Sequence, residues 1–163
     1  MDFSGFKKKA LELKNKAIEL KNKWIDYSAK KVSESSLVLK SQEEVDNFIL
    51  KSQNTTFTNK EWETKIYEKR CALIIWDSNK NFFKEFLLSF PILLTKWFSQ
   101  NLPLKIIDIQ NIKINLEKYN LSEIPSLIIF ENKEVYKIII WENNIKKVVK
   151  SLSLDINKTI EEL

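Results

Sequence analysis

The side chains that could carry chemistry here are few, and their absences decide more than their presences. The chain has no histidine and a single cysteine, Cys71. It therefore lacks the commonest general base and the commonest metal ligand. One thiol forms neither an internal disulfide nor a C-x-x-C pair for zinc or dithiol exchange. No metal-ligand set is present and no cofactor is implied. What remains is Asp77 with Lys80, in Asp77-Ser78-Asn79-Lys80 after an apolar run. A carboxylate and an ammonium at a helix start can do acid-base work, but the same residues commonly cap helices and solvate turns. Ile124-Pro125-Ser126, a proline opening an apolar run, is the second group to explain. The expectation is a protein that binds rather than catalyses.

These residues stand at the ends of runs that read as strands. Cys71 to Trp76 (CALIIW) is continuously apolar, as suits a central strand buried on both faces. Asp77-Ser78-Asn79 then supplies turn and N-cap chemistry for a helix reaching about Gln100, kinked at Pro91 and stopped by Asn101-Leu102-Pro103. Leu104 to Ile140 holds an apolar run (Ile106 to Ile109), a polar segment of helical character, a second run (Leu127 to Phe130), a turn at Glu131-Asn132-Lys133 and a third run (Val135 to Ile140). That pattern predicts β-α-β-β with a closing hairpin. Ser36 to Lys40 predicts a further strand, Gln42 to Ser52 a helix, and Asn143 to Leu163 a helix bearing Ile145, Val148, Val149 and Leu152, then another turn or two. Asn54 to Arg70 is polar, alternates weakly and yields no clear element. Parallel strands joined by helices predict a three-layer α/β sandwich with a mixed sheet.

Charge sets the N-terminus apart. Residues 1–31 hold nine lysines against four acids, a surplus of 9 − 4 = +5 that equals the net charge of the whole chain. The remainder is balanced, so charge gives no support for nucleic-acid binding by the domain. Two near-repeats, ALELKNK and AIELKNK, set a period of seven. With Phe3, Ala10, Ala17 and Trp24 at position a, Phe6, Leu13, Leu20 and Tyr27 fall at d, which predicts an amphipathic helix about 40 Å long. Its stripe has three readings: packing on the domain or on a second copy as a coiled coil, lying on an anionic membrane, or binding phosphates. Alanine at two a positions permits close helix approach and favours packing, with Phe6, Leu13, Leu20, Trp24 and Tyr27 as the interface. No stretch reaches the roughly 20 apolar residues a membrane span needs, and the N-terminus lacks a signal-peptide core, so the expected location is the cytoplasm, membrane-peripheral in the second reading. Boundaries are expected at 1–31 for the helix and 36–163 for the domain, with Lys31 to Ser36 as linker.

From about Ser36 to Leu152 the chain resembles the thioredoxin family. The resemblance rests on CALIIW followed by a helix with an internal proline, KIIDI leading to Gln110-Asn111, Lys118-Tyr119-Asn120-Leu121 before Ile124-Pro125-Ser126, LIIFENKEV as a hairpin, and IIIWENN leading into the last helix. It implies a thioredoxin-like fold and a cis peptide at Pro125, beside which an extended peptide can pair. Family members that exchange disulfides place C-x-x-C at the start of the helix after the central strand, where the helix N-terminus lowers the nucleophile's pKa. Here that window reads DSNKNFFKEF, with Asn81 and Lys84 or Phe83 and Phe86 at the thiol positions. The resemblance thus implies a redox-inactive interaction module whose protein or peptide partner meets Asp77, Ser78, Asn79, Asn81, Ile124, Pro125 and Trp141. The alternative is a peripheral membrane adaptor held by the lysine-rich helix.

Glycine is nearly missing, at one residue, whereas tryptophan occurs five times. Trp62 and Trp141 both stand where a turn favours glycine, the second at a position that is usually glycine in the family. Some bacteria read UGA as glycine and others as tryptophan, so glycine is a second reading of these positions.

Overall fold

The computed structural model describes residues 3–80, 83, 86–87, 95, 97, 99–140, 142–150 and 156–163, and the chain divides into two compact units, Met1–Ser35 and Ser36–Leu163. The first unit is a single helix, α1 (Phe3–Glu34), of 32 residues, about 48 Å at the usual rise. It continues through most of the stretch expected to be linker. No glycine or proline interrupts Lys31 to Glu34, and the end comes at Ser35, whose N–H and Oγ both donate to the Val32 carbonyl at 3.0 and 2.6 Å.

The second unit begins with α2 (Gln42–Ile49), capped by Ser41, whose hydroxyl accepts from the Glu44 N–H as an N-cap serine should. A separate ribbon follows, β1 (Thr55–Thr58) and β2 (Thr64–Tyr67), and then the strands β3 (Arg70–Trp76), β4 (Leu104–Asp108), β5 (Ser126–Glu131) and β6 (Glu134–Ile140). Helices α3 (Glu142–Lys150) and α4 (Ile156–Glu161) close the chain. The main sheet has the order β4-β3-β5-β6, with β3 parallel to β4 and antiparallel to β5, and β5 antiparallel to β6. The strand expected over Ser36 to Lys40 is one parallel bridge, Val38 to Ile106. Two bonds of 2.9 Å hold it: the Leu39 N–H donates to the Ile106 carbonyl and the Ile106 N–H to the Leu37 carbonyl.

β3 is central because it is apolar at every position from Cys71 to Trp76, and all six residues are buried. Cys71, Leu73 and Ile75 face α2 in a cluster with Val45, Phe48, Ile49, Ile107, Ile128 and Phe130. Residues two apart on a strand share a face, so Ala72, Ile74 and Trp76 take the other side, where Phe83 and Phe86 meet the Trp76 ring edge-to-face at 4.4 and 5.3 Å. Helical character at Phe83, Phe86, Leu87, Thr95, Trp97 and Ser99 agrees with the expected helix, whose Pro91 lies outside the described residues. In α3, Ile145 and Val148 are buried, as their spacing predicts, while the Val149 side chain and Leu152 lie outside the described residues. The β5–β6 connection is a two-residue turn with positive φ at Asn132 (49°) and Lys133 (71°), the backbone that matches strand twist in tight hairpins. Its tip is docked, since the Asn132 and Lys133 N–H groups donate to the carbonyl and hydroxyl of buried Ser52 at 2.8 and 2.9 Å.

Two stretches differ from the sequence reading. The polar segment between β4 and β5 is not an α-helix; only Glu117–Tyr119 turns, as a 3-10 helix. Asparagine explains it, because short amides bond locally and compete with helix formation. Asn111 Nδ2 donates to Asp108 at 2.8 Å, Asn115 Oδ1 accepts from the Lys118 N–H at 3.2 Å, and Asn120 sits at φ 54°. The illegible stretch Asn54 to Arg70 is the β1–β2 ribbon, paired from Thr55↔Tyr67 to Thr58↔Thr64 and exposed at every strand position. With neither face buried, the ribbon leaves no hydrophobic alternation to read.

Candidate functional site

Strand register brings the candidate residues to one end of the sheet. Trp76 lies opposite Asp108, Ile75 opposite Ser126, and Ser126 opposite Ile140. The turn after β3, the loop after β4, the entry to β5 and the exit from β6 therefore share that end. Asp108 ties the first two together. Its side chain is buried; Oδ1 accepts from the Ser78 N–H at 3.2 Å and the Gln110 N–H at 3.1 Å, and Oδ2 accepts from Asn111 Nδ2 at 2.8 Å. Gln110 Nε2 returns to Asp77 Oδ1 at 2.9 Å, and the same oxygen accepts from the Asn79 N–H at 2.9 Å. A buried carboxylate needs such donors.

Asp77 is thus a turn-forming side chain, and Lys80 meets it through the backbone, its N–H donating to the Asp77 carbonyl at 3.0 Å. On the third side, the Ile124–Pro125 peptide is cis and both residues are half-buried. Ser126 Oγ donates to the Glu123 carbonyl. The Ile124 N–H and C=O find no hydrogen-bond partner among the described residues. Of the residues assigned from sequence, Asp77, Ser78, Asn79, Ile124 and Pro125 fall at this end; Asn81 and Trp141 lie outside the described residues. Asp108 was missed. Its signal was a lone acid closing an apolar strand, followed by two amide side chains.

Cys71 sits near the start of β3, whereas the site is at that strand's end. It is fully buried, its Sγ lies 3.8 Å from the Phe48 carbonyl, and burial pushes the thiol up to about 12. In α1, Leu13, Leu20, Trp24 and Tyr27 are all half or more exposed, while the Phe6 side chain lies outside the described residues. Among the described residues no group of His, Cys, Asp or Glu could hold a metal ion, and no helix is long and apolar enough to cross a membrane.

No family model and no curated protein matches this sequence. Solved structures do. The oxidised thioredoxin from Plasmodium falciparum superposes with a TM-score of 0.51 at 12% identity, covering 71% of this chain and 96% of that one. The thioredoxin from Malassezia sympodialis gives 0.51 at 8% identity, covering 71% and 88%. The fold is thioredoxin-like. A designed protein also matches, with a TM-score of 0.51 at 14% identity over 77% of this chain and 93% of that one. At such identities the likeness concerns the fold alone, and the thioredoxin-like unit must be read from its own residues. With one cysteine it has no dithiol.

Proposed function

We propose that the thioredoxin-like unit is a redox-inactive module that takes an extended segment of a partner protein along Ile124-Pro125, beside the Asp77–Asn79 turn. The observation that carries this reading is the Ile124 backbone. Its N–H and C=O are unspent among the described residues, although the residue is half-buried at the end of a sheet. Buried backbone groups are nearly always paired. An extended chain laid beside Ile124 supplies both a donor and an acceptor, as in strand addition. The hydrogen bonds that Asp108 accepts from Ser78 and Asp77 accepts from Asn79 hold the Ser78-Asn79 turn in one conformation before a partner arrives, which lowers the ordering cost of binding. Binding rather than thiol chemistry is further supported by a cysteine-free turn and by the burial of Cys71.

A library of extended peptides titrated against the labelled full chain tests it. The expected result is a shift of the Ile124, Ser126 and Asn79 amides, with affinity falling about tenfold or more in Pro125→Ala. Peptides that leave those amides unmoved, or that bind Pro125→Ala equally well, overturn it. Acceleration of insulin reduction would overturn the redox-inactive part.

A further inference from the structure

We propose that α1 is a membrane-surface helix that rests on anionic lipid through its apolar stripe, and that it does not pair with a second copy of itself. The inference is independent of what the thioredoxin-like unit binds. It comes from the residues flanking the stripe. In the heptad with Leu13 and Leu20 at d, every g position is lysine (Lys9, Lys16, Lys23, Lys30), and so are three of four e positions (Lys7, Lys14, Lys21), the fourth being Ser28. In a coiled coil the e and g residues face their counterparts across the seam and set partner choice. Parallel copies would place g against e, and antiparallel copies g against g and e against e. Lysine meets lysine in both arrangements, whereas the acids Glu12, Glu19 and Asp26 all fall at c, away from the seam. Repeated like charge of this kind selects against self-pairing.

The same pattern fits an anionic lipid surface. Most of the stripe is open to solvent: Leu13 is 69% exposed, Leu20 67%, Trp24 50% and Tyr27 62%, while Ile25 beside Trp24 is buried. Lysines on both edges can lay their methylene stems along the acyl boundary and reach the headgroups with their ammonium ends, and tryptophan and tyrosine suit the interface between the two. All of the chain's net charge lies in residues 1–31, where each lysine near an anionic leaflet adds attraction. A nucleic-acid phosphate array would take the charge but leave Leu13 and Leu20 in water. Lipid satisfies both faces.

Co-sedimentation of the full chain with phosphatidylcholine vesicles, with and without phosphatidylserine, tests the proposal. Binding is expected only with phosphatidylserine, weakening on going from low to physiological salt. The partition should drop about tenfold or more in Leu13→Ser/Leu20→Ser and also in Lys14→Glu/Lys21→Glu. Circular dichroism of each variant, with and without vesicles, separates lost binding from lost helix, and Lys14→Arg/Lys21→Arg should bind as the parent does. Absence of binding to anionic vesicles at low salt overturns the proposal. So does a dimer in sedimentation equilibrium that Leu13→Ser/Leu20→Ser abolishes, or duplex binding as tight as vesicle binding and indifferent to the leucines.

Trp62 carries a separate inference: we infer that in its own cell the protein has glycine at this position, inserted at UGA. Trp62 stands at φ 64° and is 88% exposed, so nothing packs its indole in place. The Trp62 N–H donates to the Asn59 carbonyl at 3.1 Å and the Asn59 N–H to the Glu63 carbonyl at 3.0 Å. Those two bonds make a tight turn followed by a left-handed residue, the hairpin loop in which glycine serves. A bulky residue there is a conformational outlier. Trp76 and Trp97, by contrast, are buried in the core as tryptophan should be. The test is the codon for residue 62 together with the mass of that peptide from protein made in the native organism. UGA with a glycine mass is expected; UGG, or a tryptophan mass, overturns the inference.

Discussion

Replacing Trp62 by glycine should tighten the β1–β2 ribbon, whatever the cell inserts there. A non-glycine residue held in the left-handed region costs about 1–2 kcal/mol, and Trp62 is held there by the two backbone bonds that close the loop. Glycine removes that cost but widens the unfolded ensemble, which returns about 0.4–1 kcal/mol. The indole is 88% exposed, so its loss forfeits little burial. The net gain is about 0.5–1 kcal/mol. It should appear locally, because both strands are exposed and the ribbon is a separate two-stranded sheet that can open by itself. Amide exchange at Asn59 and at residue 62, whose N–H groups close the loop, should slow about two- to fivefold in Trp62→Gly. Trp62→Ala is the control, since alanine also removes the indole yet keeps the left-handed cost, and it should not slow exchange. Equal slowing by alanine, or faster exchange in the glycine variant, refutes the reasoning.

Lys133→Gly should stabilise the β5–β6 turn by a similar amount in urea unfolding, because Lys133 sits at φ 71° with its N–H still bonded to Ser52. Asp108→Ala should cost about 3 kcal/mol in the same assay, since it strips acceptors from the Ser78 and Gln110 N–H groups and from the Asn111 amide, with Asp108→Asn costing about half. The hydrogen bond from Lys118 holds the Asp46 carboxyl below its usual value of 3.8. A depressed folded pKa stabilises at pH above the unfolded value and loses that contribution as pH falls through the folded one, so Asp46→Asn should destabilise by about 0.2–1 kcal/mol at pH 7 and converge with the parent at pH below 3.8. Cys71, buried and with its thiol pushed up to about 12, should react with a thiol reagent only as fast as the unit opens, whereas rapid labelling of the native chain would show that the core around it is not closed.

The sequence was legible wherever burial imposes a pattern. CALIIW gave a strand because both of its faces are covered, and Ile145 with Val148 gave a helix face because both are buried at a helical spacing of three. It was illegible where structure depends on single hydrogen bonds. Asn111, Asn115 and Asn120 turn the segment after β4 away from helix, and Asn59 shapes the ribbon by accepting from the Glu61 and Glu63 N–H groups at 2.9 Å each. An amide side chain looks the same in a sequence whether it bonds to water or fixes a loop. The site was half legible for the same reason. Ile124-Pro125 and Asp77-Ser78-Asn79 announce turns by residue type, but the carboxylate that joins two of the loops reaches back across 30 residues from Asp108 to Ser78.

That carboxylate also bears on thiol chemistry at this turn. A reactive cysteine at a helix start depends on backbone N–H groups and on the positive end of the helix to hold its thiolate. In this unit the Ser78 N–H is spent on Asp108 and the Asn79 N–H on Asp77, so the turn that leads into the helix has its donors committed to carboxylates. Both acceptors are acids, and a negative neighbour raises a thiol's pKa. The turn therefore differs from a dithiol site by more than two missing sulfurs. Its hydrogen bonds hold the Ser78-Asn79 turn in one conformation, which suits the proposed role of that turn in recognising a partner chain rather than in holding a nucleophile.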